Sequence, residues 1–330
     1  MSKQRVLALL GHSGKAYLSG EAMSRELGIS RAAVWKAIEG LRQEGYQISS
    51  APNRGYRLDA APDKLSAGGI AGQLPLDCLV GREVVVLDSV DSTNNEIKRR
   101  AASTAEGLAV LAVEQTGGRG RRGRSFQSLP GKGMYLSVLL KPPFPLHQVV
   151  SLTAWVAVAV CDGVEDACGV RPGIKWTNDL VLNGRKLCGI LTELELEGES
   201  GELSYIVTGM GVNVSQTAGD FGPELAEIAT SLARETGNPV SVNQLAACVL
   251  AALDRMYRSF PQEKEGYLAR YRADCVTLGK PVRLIRGERS EDAFALDVDE
   301  DFCLRVRYPD GREETITAGE VSVRGLMGYT

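Results

Sequence analysis

The chain has 330 residues, 44% hydrophobic, 24% charged and 6% aromatic, which excludes a mainly disordered state and predicts two or three domains at roughly 150 residues each. The formal net charge of −3 hides an asymmetry: residues 1–60 hold nine basic and five acidic side chains, net +4, leaving −7 on the remainder. Only the N-terminal part is therefore suited to a polyanion.

In chain order, residues 5–44 read as three short helices. The first carries Val6, Leu7, Leu9 and Leu10, and the second runs from about Glu21 to Leu27. After a tight turn at Gly28-Ile29, Ser30 is placed to cap the third helix, Arg31 to Glu44. That helix has Val34, Ile38 and Leu41 on one face, Arg31, Lys36 and Arg42 on the other, and Gly45 as its stop. Tyr46–Ser49 and Tyr56–Leu58, around Ala51-Pro52-Asn53-Arg54-Gly55, give a hairpin, so the whole predicts a winged helix-turn-helix. A linker is expected near 60–72, with Ala60, Ala61, Pro62 and Ala67-Gly68-Gly69. Strands are predicted at Val84–Leu87, Leu108–Glu114, Met134–Leu140, Leu180–Leu182, Ile190–Glu195 and Tyr205–Val214. Helices are predicted at 94–103, Leu152–Val170 and 243–273, the last broken near Pro261. From Thr277 short strands and turns predict a small β-barrel of about 55 residues.

Seven cysteines at irregular spacing, without Cys-x-x-Cys, argue against a disulfide framework or a structural zinc site and point to the cytosol. The only histidines, His12 and His147, fit no metal-ligand pattern and no Ser-His-Asp triad. Val6–Leu10 is too short for a signal peptide, and Leu152–Cys161 falls far below the ~20 residues that span a bilayer. A cytoplasmic protein without a membrane segment is expected.

The sharpest chemical feature is Gly117-Gly118-Arg119-Gly120-Arg121-Arg122-Gly123-Arg124, within a stretch from Gln115 to Cys161 that has no acidic residue. Glycines let backbone approach a ligand, and arginines supply forked donors for phosphate or carboxylate. A solvated basic loop would leave the glycines without a role. Gly118, Gly120 and Gly123 match G-x-G-x-x-G only formally, because no acidic residue follows about 20 positions on to hold a ribose. Lys175-Trp176-Thr177-Asn178-Asp179 brings a lysine, an amide and a carboxylate together, although Asn-Asp alone is commonly a turn. Lys186, at the start of the apolar strand Leu187-Cys188-Gly189-Ile190-Leu191, is placed to reach an anion, though alone it reads as a hairpin lysine. Asp91-Ser92-Thr93-Asn94-Asn95 crowds hydroxyls and amides at a helix start, for which simple capping is the plainer account.

Together, Ser92-Thr93-Asn94, Gln115 with the run 118–124, Lys175–Asp179, Lys186–Leu191 and Gly209-Met210-Gly211-Val212-Asn213 stand in the order that resembles biotin protein ligases. With the winged helix in front, the chain is similar to the bacterial form that is both biotin–[acetyl-CoA-carboxylase] ligase and biotin operon repressor. Phe126, Thr177 and Cys188 stand where that family usually has tryptophan, proline and alanine; a phenyl ring can still stack. The resemblance implies an α+β multidomain protein: a winged helix-turn-helix (1–62), a mixed-sheet α/β catalytic domain (63–273) and an SH3-like barrel (274–330). It implies that biotin and MgATP give biotinoyl-5′-AMP, whose acyl group passes to a lysine of the biotin carboxyl carrier protein. Lys186 and Arg121 are implied as catalytic. Ser92, Thr93, Asn94, Gln115, Gly118, Arg119, Gly120, Arg121, Lys186 and Gly189 are implied for biotin. Arg121, Arg124, Phe126, Lys175, Asn178, Asp179 and Asn213 are implied for ATP, with Mg2+ carried on its phosphates. Arg31, Ala32, Lys36 and Arg54 are expected at operator DNA, bound by a homodimer. Two other readings are weighed: a ligand-sensing repressor without ligase activity, for which a phosphate clamp has no use, and a lipoate-type acyl ligase, whose pocket would be longer and apolar.

Overall fold

The computed structural model describes the chain except residues 1, 15, 44–45, 53, 61–63, 199–200, 224, 318–321, 326–328 and 330. It divides into two compact units, Met1–Lys64 and Leu65–Thr330.

The first unit contains α1 (Ser2–His12), α2 (Gly20–Leu27), α3 (Arg31–Gln43) and an antiparallel hairpin of β1 (Gln47–Ala51) and β2 (Gly55–Ala60). Ser19 caps α2 by accepting from the Ala22 amide, and Gly28 ends it in the left-handed region at φ 64°. Ser30 Oγ accepts from the Ala33 amide at 3.1 Å, the cap its position predicts. Val34, Ala37, Ile38 and Leu41 of α3 close a small core on Val6, Leu10, Met23 and Ile48. The expected helix stop at Gly45, Asn53 of the turn and Ala61-Pro62 of the linker lie outside the described residues. The rest of the expected linker is not all extended chain. Ala67–Ala71 form a short helix, α4, because Ser66 Oγ accepts from the Gly69 amide at 3.2 Å and Ile70 is buried.

The second unit is built on a seven-stranded mixed sheet of order β3-β4-β5-β9-β8-β7-β6. Its strands are β3 (Glu83–Val90), β4 (Leu108–Gln115), β5 (Gly133–Leu140), β6 (Gly173–Lys175), β7 (Asp179–Leu182), β8 (Arg185–Leu196) and β9 (Leu203–Asn213). Only β3 and β4 run parallel. Alternate side chains serve two faces. Leu108, Val110, Leu139 and Val207 pack on Ile97 and Ala101 from α5 (Thr93–Arg100) and the turn after it. Ala109, Leu111, Val138, Leu140 and Ile206 face the larger core with α7 (Leu152–Cys168) and α9 (Val242–Ser259). α10 (Lys264–Asp274) packs on α7 and α4 on α9, and two short helices, α6 (Leu146–Val149) and α8 (Leu232–Thr236), lie in the connections. The segment Leu146–Cys168 is by length and composition long enough to cross a membrane, but its apolar window is 67% buried inside the fold, as in a core helix.

After α10 the chain forms a five-stranded antiparallel sheet of order β13-β12-β11-β10-β14. The strands are β10 (Pro281–Arg286), β11 (Arg289–Val298), β12 (Leu304–Arg307), β13 (Glu313–Ile316) and β14 (Ser322–Gly325). Its apolar face (Val282, Leu284, Ala295, Leu304, Val306, Ile316) is continuous with the larger core. Trp176 fastens the two sheets: its indole donates to the Phe302 carbonyl at 2.9 Å, and its amide donates to Thr277 Oγ1 at 2.9 Å.

Candidate active site

A cavity of about 680 Å³ opens where β7, β8 and β9 meet the loop between β4 and β5, the start of α5 and the end of β14. Its floor needs glycine. A Cβ on Gly209 would stand 2.0 Å from Asn94 Oδ1, and one on Gly211 would stand 2.5 Å from the Phe126 ring. The motif Gly209–Asn213 thus clears space for side chains arriving from elsewhere.

One group of lining residues is polar and uncharged: Ser92, Thr93, Asn94 and Gln115. Ser92 occupies the N-cap position of α5 without a side-chain capping bond, so simple capping does not account for this cluster. Thr93 donates from both its amide and its hydroxyl to Gln115 Oε1, at 2.9 and 3.0 Å, and Gln115 Nε2 donates to Ser128 Oγ at 2.8 Å. Ser137 Oγ, buried in β5, lies 2.6 Å from Asn94 Oδ1 and 2.7 Å from Thr93 Oγ1. Asn94 Nδ2 donates to Glu193 Oε2 at 2.8 Å, and Lys98 pairs with the other Glu193 oxygen at 2.6 Å. Burial alone would raise the Glu193 carboxyl; the bonds from Lys98 and Asn94 together hold it below its ordinary range. These groups fix one another before any ligand enters.

A second group is cationic. Arg119, Arg121, Arg122, Arg124, Lys175, Lys186 and Arg324 line the cavity, against Asp179 as the single acidic lining residue. The Gly/Arg run folds as a short hairpin-like loop in which the Gly120 amide donates to the Arg124 carbonyl at 2.7 Å and the Phe126 amide to Gly118 at 2.9 Å. Arg121 reaches from it to Asn178 Oδ1 at 2.9 Å, and Asn178 Nδ2 is tied to the Ile190 carbonyl at 2.8 Å. Burial, then Arg122, depresses the Arg121 guanidinium from its ordinary range. Lys186 Nζ donates to Asp179 Oδ1 at 2.7 Å, while the Tyr329 hydroxyl donates to Asp179 Oδ2 at 2.5 Å. Lys175 Nζ sits 3.5 Å from the centre of the Tyr329 ring, and burial pulls its pKa down to about 8. Burial and Asp179 push the Tyr329 hydroxyl well above its ordinary range.

The cavity brings together Ser92, Thr93, Asn94, Gln115, Arg119, Gly120, Arg121, Arg124, Phe126, Lys175, Asn178, Asp179, Lys186 and Gly189 from the expected set. Gly118 and Asn213 are not among its lining residues. Gly118 instead sits against Phe126 and Ser128, and the buried Asn213 accepts from Gln216 Nε2 at 3.0 Å. Sequence reasoning missed Tyr329, Ser137, Glu193 and Gly209. Glycines at alternate positions of a predicted strand were a signal for the last. Among the described residues no three His, Cys, Asp or Glu side chains form a metal-ion group.

In the first unit the third helix exposes Arg31, Ala32 and Lys36, and Arg54 is exposed on the wing. Arg31 pairs with Glu21 at 3.2 Å, and the Arg54 guanidinium lies 4.7 Å from the centre of the Tyr17 ring.

Residues 86–213 match the Biotin/lipoate A/B protein ligase family, and residues 3–57 match an HTH domain. The "Bifunctional ligase/repressor BirA" of Bacillus subtilis (strain 168) is 38% identical over 78% of this chain and 79% of its own length. The protein of the same name from Escherichia coli (strain K12) is 31% identical over 97% of this chain and 96% of its own. Among solved structures, the biotin protein ligase from Aquifex aeolicus in complex with biotin and ATP superposes with a TM-score of 0.64 at 27% identity, covering 74% of this chain and 99% of that one.

Proposed function

Because the chain belongs to the biotin protein ligase family, in the branch that carries a helix-turn-helix domain, we propose that it activates biotin with ATP, transfers it to a carrier-protein lysine and represses transcription from operator DNA. The observation that carries this reading is one cavity whose lining joins a hydrogen-bonded set of neutral polar side chains to a set of seven cationic side chains and one carboxylate. A neutral polar ring system with a carboxylate tail suits the first, and a triphosphate suits the second.

In the first step a biotin carboxylate oxygen attacks the α-phosphorus of ATP. An O–P bond forms, the bond to the β-phosphate breaks, and pyrophosphate leaves. Two anions must meet, so fixed positive charge is the main requirement. Lys186 and Arg121 are assigned to the carboxylate and the forming adenylate. Ser92, Thr93, Asn94 and Gln115, with Arg119, Gly120 and Gly189, are assigned to biotin. Arg124, Phe126, Lys175, Asn178 and Asp179 are assigned to ATP; Gly118 packs against Phe126 and Ser128, and Asn213 is bonded to Gln216 outside the cavity lining. Mg2+ would be held mainly by phosphate oxygens and water, and Asp179 is the single carboxylate that lines the cavity. In the second step the carrier lysine's amine attacks the acyl carbon, AMP leaves, and the ammonium proton passes to water. No protein nucleophile is required, and positioning does most of the work.

We retain three functional modules, 1–62, 63–273 and 274–330, with an SH3-like barrel as the last, and a cytoplasmic homodimer on DNA. Incubation with labelled biotin, MgATP and a carrier domain tests the ligase half. A sensor without ligase activity would label nothing, and a lipoate-type ligase would be competed by lipoate rather than biotin.

A further inference from the structure

The third helix of the first unit carries one feature that charge alone does not explain. Trp35 is 56% exposed, the most exposed aromatic among the described residues, whereas Trp155 and Trp176 are buried. At about 100° per residue, Arg31, Trp35, Ala32 and Lys36 fall in that order within an arc of about 140°. Val34, Ala37, Ile38 and Leu41 occupy the opposite side and are buried. An indole in water stays hydrated over its large apolar face, a face that is covered only when a partner arrives. Here it stands between two cations and beside a methyl side chain, a polyanion-facing surface with an apolar centre. Arg31 pairs with Glu21 in an exposed ion pair, which contributes little and yields readily to a phosphate.

Resting on the DNA-binding half of the proposed function, we infer that Trp35 is a specificity-determining residue whose indole covers the C5-methyl of a thymine in the major groove. Arg31, Lys36 and Arg54 set the helix on the phosphates, which carries no sequence information. The thymine methyl is the apolar mark that separates T from C and from uracil on the major-groove edge, and a flat aromatic face covers it without needing a hydrogen bond.

The experiment uses the full chain with biotin and MgATP. A tight-binding duplex is first selected from a random library, and each thymine in it is then replaced singly by deoxyuridine, which removes only the methyl. The expected result is one position per half-site at which the wild type loses about fourfold in affinity, the size of one CH3 taken out of an apolar contact. Trp35→Ala should bind the parent duplex more weakly and be indifferent to that replacement, while Arg54→Ala weakens binding to all duplexes alike. The emission difference between wild type and Trp35→Phe should shift on adding the duplex. Indifference of the wild type to every deoxyuridine, or an unchanged Trp35 emission, overturns the inference while leaving DNA binding standing. A Trp35→Ala protein that binds DNA normally but fails to self-associate makes a second copy the occupant and also overturns it. Failure to select any duplex overturns the repressor reading itself.

Discussion

Lys186 shares its ammonium with Asp179 across 2.7 Å and lines the cavity half-buried, so it is held in position before substrate arrives. Lys186→Ala should lower the rate of pyrophosphate release by ~10²–10³, about 3–4 kcal/mol of transition-state stabilisation. The melting temperature should change little, because Asp179 keeps the Tyr329 hydroxyl. Near-normal release by a folded variant would remove Lys186 from the chemistry. Lys175 supports a pH prediction. Burial, with Lys186, Arg324 and Arg124 adding to it and Asp179 opposing, brings its pKa from 10.5 to about 8. Activity that needs its charge should therefore fall as pH rises through about 8, seen as a descending limb in kcat/KM for ATP. Lys175→Arg, charged throughout, should lose the limb whatever its absolute rate. Stability moves the other way. Between about pH 8 and 10.5 the unfolded chain binds more protons at this group, so its contribution to stability rises with pH across that window. A pH-independent kcat/KM from 7 to 9.5 in the wild type would contradict the assignment.

At the scale of elements, the sheet floor is set by what glycine leaves empty. Gly209→Ala would put a methyl against Asn94 Oδ1, an atom already held by Ser137. Asn94 must then give up its bond to Ser137 or to Glu193, which disturbs the neutral polar set and leaves the bonds of Asn178, Asp179 and Lys186 untouched. The expected outcome is a KM for biotin raised at least tenfold with the KM for ATP nearly unchanged, measured by pyrophosphate release; parallel changes in both would mean a general distortion of the floor. The same element shows what the sequence could and could not reveal. Lys175–Asp179, Lys186 and the Gly/Arg run were legible because each packs its chemistry into a few consecutive residues. Ser137 and Glu193 were not, since each is a single polar side chain on a strand and its value comes from register. Ser137 pairs with Gly209 across β5 and β9, and Glu193 sits on β8 opposite Val207. Tyr329 was illegible for a similar reason. It reaches Asp179 across 150 positions, through a sheet whose docking on Trp176 no local pattern announces. Asn213 lies outside the cavity lining, with its Oδ1 accepting from Gln216 Nε2.

At the scale of the whole molecule, the division into Met1–Lys64 and Leu65–Thr330, each with its own core, means that the chemistry and the DNA surface are separable. Removing residues 1–64 should leave labelling of a carrier domain largely intact while abolishing DNA binding. A soluble, folded truncation that labels nothing would show that the first unit contributes to catalysis.

The two activities are nonetheless expected to communicate. A first unit with a net charge of +4 can neutralise few phosphates, so one copy should bind DNA weakly and with a shallow salt dependence. Two copies on a two-fold operator double those contacts. The Gly/Arg loop lines the cavity that an adenylate would fill, and Arg121 already joins that loop to Asn178, so an occupied cavity should hold the loop in one arrangement. If that arrangement favours the homodimer, biotinoyl-AMP strengthens operator binding. Linkage then requires operator DNA to tighten adenylate binding by the same factor; couplings of this kind are commonly ~1–3 kcal/mol, about 5–150-fold. The check is an operator titration with and without biotin plus MgATP, alongside sedimentation and the adenylate's off-rate with and without operator. The two factors should agree, and the salt slope should be about twice that of a single copy. Equal DNA affinity in both conditions, or a single copy on the operator, would separate repression from the adenylate and leave the ligase chemistry untouched.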